Sequence, residues 1–263
     1  MKISRSITIV LIFIVLAICS GLANAQSTVR IKVLSMNIKE GGKYTNYKTA
    51  PFAEIIRKYS PDVVALQEVH DKTLLVGKRR WTYELGEDTG LFPLFCKSFD
   101  YRGGGFGVAL LTKYPFFGSE YIVSVMAGAR EPRATGWVYL SLPDGNTIRV
   151  GSTHIAVEAE CIAANMADIN KRIFAEDNVT PTLLIGDFNS LPNSDYIFYF
   201  KRKWQDVSND IGPTIPSDKP SKKLDYIMGY PKGGWKLDSY EVIARPDMSD
   251  HCFIYAEISF TEK

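Results

Sequence analysis

Asp250-His251, in the run MSDHCFIYAEI near the C-terminus, is the last of several short polar signatures set into apolar sequence. The others are SMNIKE with Asn37, VVALQEV with Glu68, GSTHI with His154, LLIGDFNS with Asp187 and Asn189, and KLDYI with Asp225. A strand core has little use for carboxylates, amides and imidazoles, so their place at the ends of apolar runs points to side chains converging on one polar site. The chemistry these groups support is metal-dependent hydrolysis. A carboxylate at Glu68, closing the strand-like run Val63-Val64-Ala65-Leu66, can hold a hard divalent cation, with the Asn37 amide oxygen from a neighbouring strand as a second ligand. Mg²⁺ or Mn²⁺ suits so sparse an oxygen set. Zinc would want tighter clustering than His70, His154 and His251 offer.

Hydrolysis of a phosphate ester needs an activated water, in-line geometry and positive charge over the developing phosphorane oxygens. Each need has a candidate. His251 can take the proton from the attacking water, and Asp225 can orient its imidazole and raise its basicity. Asp187 and Asn189 can hold the nucleophile or a phosphate oxygen, while His154 and Arg133 can donate to the others. Singly, an Asn or Asp at a strand end reads as a cap or turn residue and a lone His as a structural group. Six runs that answer one reaction's requirements carry more weight than any one of them.

Alternating strands and helices must position these groups. VRIKVLSMNI alternates as a strand, YKTAPFAEIIRKY has helical spacing, and Pro61 restarts the chain into DVVALQEV, a β-α-β opening. Further strands are expected at 107–112, 135–142, 147–153, 182–186, 224–228, 240–244 and 252–259. Pro143-Asp144-Gly145-Asn146 is a turn that makes two of these a hairpin. A helix over 158–176 places Ile162, Met166, Ile169 and Ile173 on one packing face. Hairpins mixed with β-α-β crossovers imply mixed α/β or α+β architecture.

Composition bounds the rest. With 46% hydrophobic and 23% charged residues in 263, the chain has the material for a large core, and no linker or repeat divides it. One domain over 26–263 is expected. Residues 1–25 read as a signal peptide: Lys2 and Arg5 precede the apolar run Ile7 to Ile18, and Ala23 and Ala25 form an A-x-A cleavage pattern before Gln26. The expectation is export to the periplasm or medium, with an uncleaved anchor or a lipid on Cys19 in LAICSG as alternatives. Two of the 31 basic residues and none of the 29 acidic ones lie in that leader, so the remainder is formally neutral and carries no global draw toward nucleic acid. Cys96, Cys161 and Cys252 remain, an odd number without a C-x-x-C pair, which argues for core residues rather than a disulfide framework.

The ordered set MN, LQEV, STH, GDFN, LDYI and SDH resembles the endonuclease/exonuclease/phosphatase superfamily, which includes pancreatic-type deoxyribonuclease, apurinic endonucleases, bacterial sphingomyelinases and inositol polyphosphate 5-phosphatases. The resemblance spans roughly Val29 to Ile258, and GDFN followed by SDH is its most specific part. It implies a deoxyribonuclease I-like four-layer sandwich, two packed mixed sheets flanked by helices. It implies that Glu68 and Asn37 bind the metal. Asp250 joins them as a ligand or, as an alternative to Asp225, is the acid paired with the general base His251. By the same resemblance Asp187 and Asn189 surround the phosphorus, His154 contacts phosphate, and Arg133 in AREPRATG, with Arg130 as the alternative, is a phosphate-contacting arginine.

The function this implies is hydrolysis of phosphodiester bonds, in nucleic acid or a smaller diester such as a lipid head group, by a monomer with no obligate protein partner. A phosphomonoesterase on inositol-phosphate-like substrates is the first alternative. A non-catalytic binding module on the same fold is the second. Three features read as structural. Glu158 and Glu160 in AVEAEC belong to a helix's first turn, the glycines 103–107 enter a core strand, and YIFYFKRKW (196–204) is a buried helix with a basic end.

Overall fold

The computed structural model describes residues 28–261, so the leader expected over 1–25 and Cys19 lie outside the described residues. Period-two alternation builds two sheets face to face. The chain runs β1 (Thr28–Asn37), α1 (Ala50–Tyr59), β2 (Val63–Asp71), α2 (Trp81–Thr89), β3 (Phe92–Tyr101), β4 (Gly104–Thr112), β5 (Phe116–Ser124), β6 (Arg133–Ser141) and β7 (Thr147–His154). It continues through α3 (Ala159–Glu176), β8 (Thr182–Asp187), α4 (Asp195–Phe200), β9 (Gln205–Asp206), β10 (Asp225–Tyr230), β11 (Trp235–Ile243) and β12 (Phe253–Thr261). One six-stranded sheet is ordered β11-β12-β1-β2-β4-β3 and the other β5-β6-β7-β8-β10-β9. Each holds one parallel pair at its centre, β1 with β2 and β7 with β8, flanked by antiparallel neighbours.

Alternate residues face opposite layers. Ile31, Val33, Val63, Ala65, Val150, Leu183, Ile185, Ile227 and Ile254 fill the space between the sheets. Leu34, Met36, Val64 and Leu66 face outward onto Phe52, Ile56, Trp81 and Leu85 of α1 and α2. Leu184, Tyr226 and Met228 face outward from the other sheet onto Met166, Ile169 and Ile173 of α3 and Ile197 and Phe200 of α4. The result is the four-layer helix–sheet–sheet–helix sandwich expected from the sequence.

The two parallel pairs end at the same rim. Because β12 runs antiparallel to β1 and β10 antiparallel to β8, their first residues lie beside the last residues of those strands. Asn37, His154, Asp187 and Asp225 thus continue the inward-facing rows of Val33, Val150, Ile185 and Ile227, and the inter-sheet core becomes polar at one open end. Gln67 pins that end together: its Nε2 donates to Ser152 Oγ across the sheets at 3.0 Å, and Ser152 Oγ donates back to Leu66 O at 3.0 Å.

The β-α-β opening, the hairpin at 143–146 and helix α3 stand where the pattern puts them, and the glycines 104–107 enter β4. Strands β3, β5 and the two-residue β9 are not among the expected strands. Strands β3 and β5 are half-exposed and lie at sheet edges, and β3 carries Pro93, so neither shows a clean alternation. The segment 196–204 departs from a buried helix. Ile197, Phe200 and Trp204 are buried, but Phe198 and Tyr199 are exposed, with Arg202 stacked over the Tyr199 ring at 4.3 Å.

Candidate active site

Five residues form a continuous chain across the rim. Asp225 Oδ2 lies 2.9 Å from His251 Nδ1, and Asp187 Oδ2 lies 3.6 Å from both His251 Nε2 and His154 Nε2. Arg133 Nη1 lies 3.4 Å from His154 Nδ1. An arginine can only donate, so His154 accepts at Nδ1 and, when neutral, carries its proton on Nε2, toward Asp187. Asp225, being an acceptor, fixes the proton of a neutral His251 on Nδ1 and leaves Nε2 free to act as a base. His251 is paired with Asp225 and not with Asp250.

Burial sets the charges. It pushes the Asp187 carboxyl up, and repulsion from Asp225 adds to that, to about 7. Burial pulls His251 down, but the charge and hydrogen bond of Asp225, with Asp187 and Asp250 behind, outweigh it and raise the imidazole to about 10. His154 is held well below the usual histidine range by burial and then by the Arg133 guanidinium, so it is neutral. Arg133 is buried and ion-paired with Glu131 at 2.9 Å, while Arg130 is exposed and ion-paired with Glu158 at 3.6 Å. Of the two candidate arginines, Arg133 is in the site. Glu158 stands at the N-cap position of α3 without a side-chain capping bond and accepts the Arg130 N–H at 3.3 Å, while Glu160 lies in that helix's first turn, as expected.

Glu68 reaches the site through a break in its strand. Between Leu66 and Val69 the register with β4 shifts by a bulge, and Glu68 adopts φ 60°, a left-handed conformation that costs a non-glycine residue about 1–3 kcal/mol. Its carboxylate is fixed by Asn37 Nδ2 on Oε1 at 3.2 Å and by the Glu40 N–H on Oε2 at 2.8 Å.

Asn37, expected as an oxygen donor to the metal, presents its amide nitrogen to the neighbouring carboxylates. Its Nδ2 also donates to Asp187 Oδ2 at 3.2 Å, and its Oδ1 takes the Lys39 N–H at 3.2 Å. Flanked by two carboxylates that can only accept, the amide turns its nitrogen inward and works as a tie between Glu68 and Asp187. Asn189 is also a brace. Its N–H donates to Asp187 Oδ1 at 2.8 Å and its Nδ2 to Ile155 O at 2.9 Å, which locks the GDFN turn to the segment after His154.

Asp250 lies beside this chain. Its Oδ2 is ion-paired with Lys39 Nζ at 2.8 Å, and its Oδ1 is buried without a hydrogen-bond partner. An orphaned buried carboxylate oxygen, on a residue that shares the Lys39 ammonium with Glu68, fits a divalent ion with oxygen ligands. Asp187, Asp225 and His251 also bring ligand atoms within 4.8 Å of one another. Holding an ion there would break the Asp225–His251 pair, so Glu68 and Asp250 are the better donors.

Three residues escaped the sequence reading. Lys39 stood inside SMNIKE two places after Asn37, but its direction depends on a left-handed turn that no local pattern signals. Glu131 holds Arg133, and Ser249 donates to Asn37 O at 2.7 Å and accepts the His251 N–H at 3.1 Å, tying the SDH turn to the end of β1. His70, by contrast, is structural: burial drops it to about 4, and it stands edge-on to Tyr101 and Phe106.

A family model described as Endonuclease/Exonuclease/phosphatase family matches residues 29–251. No curated protein gives a significant sequence match. Similar solved structures include a conserved protein of unknown function from Enterococcus faecalis V583, 20% identical with TM-score 0.74, matched over 88% of this chain and 100% of that one. A mannosyl-6-phosphatase from Bacteroides thetaiotaomicron VPI-5482 is 14% identical, TM-score 0.72, over 87% and 99% of the two chains. The human Nocturnin catalytic domain with bound sulfate is 18% identical, TM-score 0.70, over 90% and 97%. At these identities the structures speak for the fold.

Proposed function

The chain belongs to the endonuclease/exonuclease/phosphatase family, and from that premise we propose that it is an exported, divalent-metal-dependent phosphoesterase that hydrolyses phosphodiester bonds. The observation that carries this reading is the chain Asp225–His251–Asp187–His154–Arg133, a base with its orienting acid facing two phosphate donors across a buried carboxylate. A binding module has no need of such a base.

An ion held by Glu68 and Asp250, Mg²⁺ or Mn²⁺, would supply Lewis-acid polarisation of a phosphoryl oxygen. The chain's own groups do the rest. His251 takes the proton of the attacking water at Nε2, and Asp225 fixes the ring and stabilises the imidazolium that results. Asp187, between the two histidines, orients the water. Arg133 and the Nε2–H of His154 donate to non-bridging oxygens, where charge grows in the transition state. The carboxylates that raise His251 are the field an added positive charge cancels, so its imidazole returns toward its ordinary range as the site fills.

One observation favours a second reading. Lys39 brings a further cation to the same rim, and a phosphomonoester, being a dianion, calls for such a donor. Export is part of the proposal and is supported by the leader pattern over 1–25. Nicking of supercoiled plasmid by the purified chain in Mg²⁺, beside EDTA and His251→Ala controls, tests the reading on nucleic acid. Parallel assays on bis(p-nitrophenyl) phosphate and p-nitrophenyl phosphate test small diesters and monoesters. No metal-dependent turnover of any of the three would contradict it.

A further inference from the structure

The side chain of Lys39 is paired with a carboxylate assigned above to the ion. Its ammonium lies 2.8 Å from Asp250 Oδ2, and the Glu68 and Glu40 carboxylates are the next charges that attract it. The backbone aims it there. Lys39, Glu40, Gly41 and Gly42 are left-handed in succession, with φ of 51°, 44°, 72° and 82°. The Lys39 N–H is held by Asn37 Oδ1 and the Glu40 N–H by Glu68 Oε2. Gly41 packs so tightly on His70 that a Cβ would lie 2.5 Å from its Cδ2. One turn thus fixes Glu68 through its main chain and Asp250 through its side chain.

We propose that Lys39 is an internal counter-cation that competes with the divalent ion for Asp250, so that loading the site requires the lysine side chain to leave. This rests on the reading that Glu68 and Asp250 hold the ion. Two cations at one carboxylate repel strongly in a half-buried setting, and the ammonium, on a flexible stem and 28% exposed, is the group able to move into water. In the ion-free protein the lysine keeps Asp250 from standing as an uncompensated charge. In the loaded protein the displaced ammonium lies at the mouth of the site. The cost of displacement weakens binding and ties loading to the ambient concentration of the ion.

The test is Mn²⁺ binding, followed by the EPR signal of free Mn²⁺, to the metal-stripped chain of residues 26–263 and to Lys39→Met, Lys39→Asn, Asp250→Asn and the Lys39→Met/Asp250→Asn double variant. Lys39→Asn is included because asparagine tolerates the left-handed backbone, and circular dichroism selects folded variants. Loss of the cation is expected to tighten Mn²⁺ binding at least about tenfold, as removal of a like charge a few ångströms away should. In the Asp250→Asn background the same substitution should change affinity less than threefold. Unchanged or weaker binding in both lysine variants would overturn the proposal and leave the metal reading standing. A tenfold gain that persists without Asp250 would overturn the competition for that carboxylate. No binding by any variant would overturn both.

Discussion

His251 Nδ1 lies 2.9 Å from Asp225 Oδ2, and both residues are buried at the rim of the inter-sheet core. They come from strands of opposite sheets, His251 from the turn before β12 and Asp225 from the start of β10, so the pair forms only when the sandwich closes. Replacing His251 by Ala should lower kcat by about 10²–10⁴-fold with the fold intact, the range of one general base. Asp225→Asn should lose a large part of that by freeing the ring's tautomer and orientation. Steady-state kinetics beside circular dichroism would show it, and full activity in Asp225→Asn would sink the orienting role.

The same pair predicts how the stability of metal-stripped protein depends on pH. His251 is raised in the fold from 6.5 to about 10. Its contribution is therefore complete below about 6.5 and is lost as pH rises through 10. Asp187, raised from 3.8 to about 7, costs stability between those values, where the unfolded carboxyl ionises and the folded one does not, and its contribution is constant above 7, which leaves the alkaline-side loss to His251. The Tm in EDTA should fall from pH 6.5 to 10, and His251→Gln should flatten the slope. A Tm constant over that range in the unmodified protein contradicts the electrostatic account.

Glu68→Gln should leave the shape of the site and remove a charge. The Asn37 Nδ2 and Glu40 N–H bonds to its carboxylate can each be kept by only one oxygen of the amide, so a modest loss of about 1–2 kcal/mol in folding stability is expected. The larger effect should be on metal dependence, with the Mg²⁺ titration of activity displaced to higher concentration by at least about tenfold. An unchanged titration would place the ion elsewhere.

Gly186 precedes Asp187 with φ 146°, and a Cβ there would stand 2.0 Å from Thr153 O on the neighbouring strand. Gly186→Ala must therefore push β7 and β8 apart or fail to fold. A loss of more than about 2 kcal/mol is expected by urea denaturation, in the range reserved for strain and overpacking. A loss below 1 kcal/mol would show that the strand pair yields easily.

Much of this was legible because the site residues extend apolar runs in phase. Asn37 and Asp187 are each read off a strand whose inward row is already defined, at Val33 and Ile185. Hydrogen-bond polarity was not legible. Asn37 has the residue type of a metal ligand and Asn189 that of a donor to a phosphate oxygen, yet their amide nitrogens are spent on carboxylates and a carbonyl that only the closed sandwich brings near. Lys39 escaped for a related reason, since consecutive left-handed residues outside a Gly-Gly pair have no sequence signature. The edge strands β3 and β5 were missed because half-exposed strands alternate weakly.

The central claim is that His251 is the base of a metal-dependent phosphoesterase. Its most direct test is the initial rate of bis(p-nitrophenyl) phosphate hydrolysis by folded wild-type and His251→Ala chains, in Mg²⁺ and in EDTA. The account predicts turnover that EDTA abolishes and that the substitution lowers by about 10²–10⁴-fold. Equal rates for the two chains in Mg²⁺, or a wild-type rate indifferent to EDTA, would contradict it.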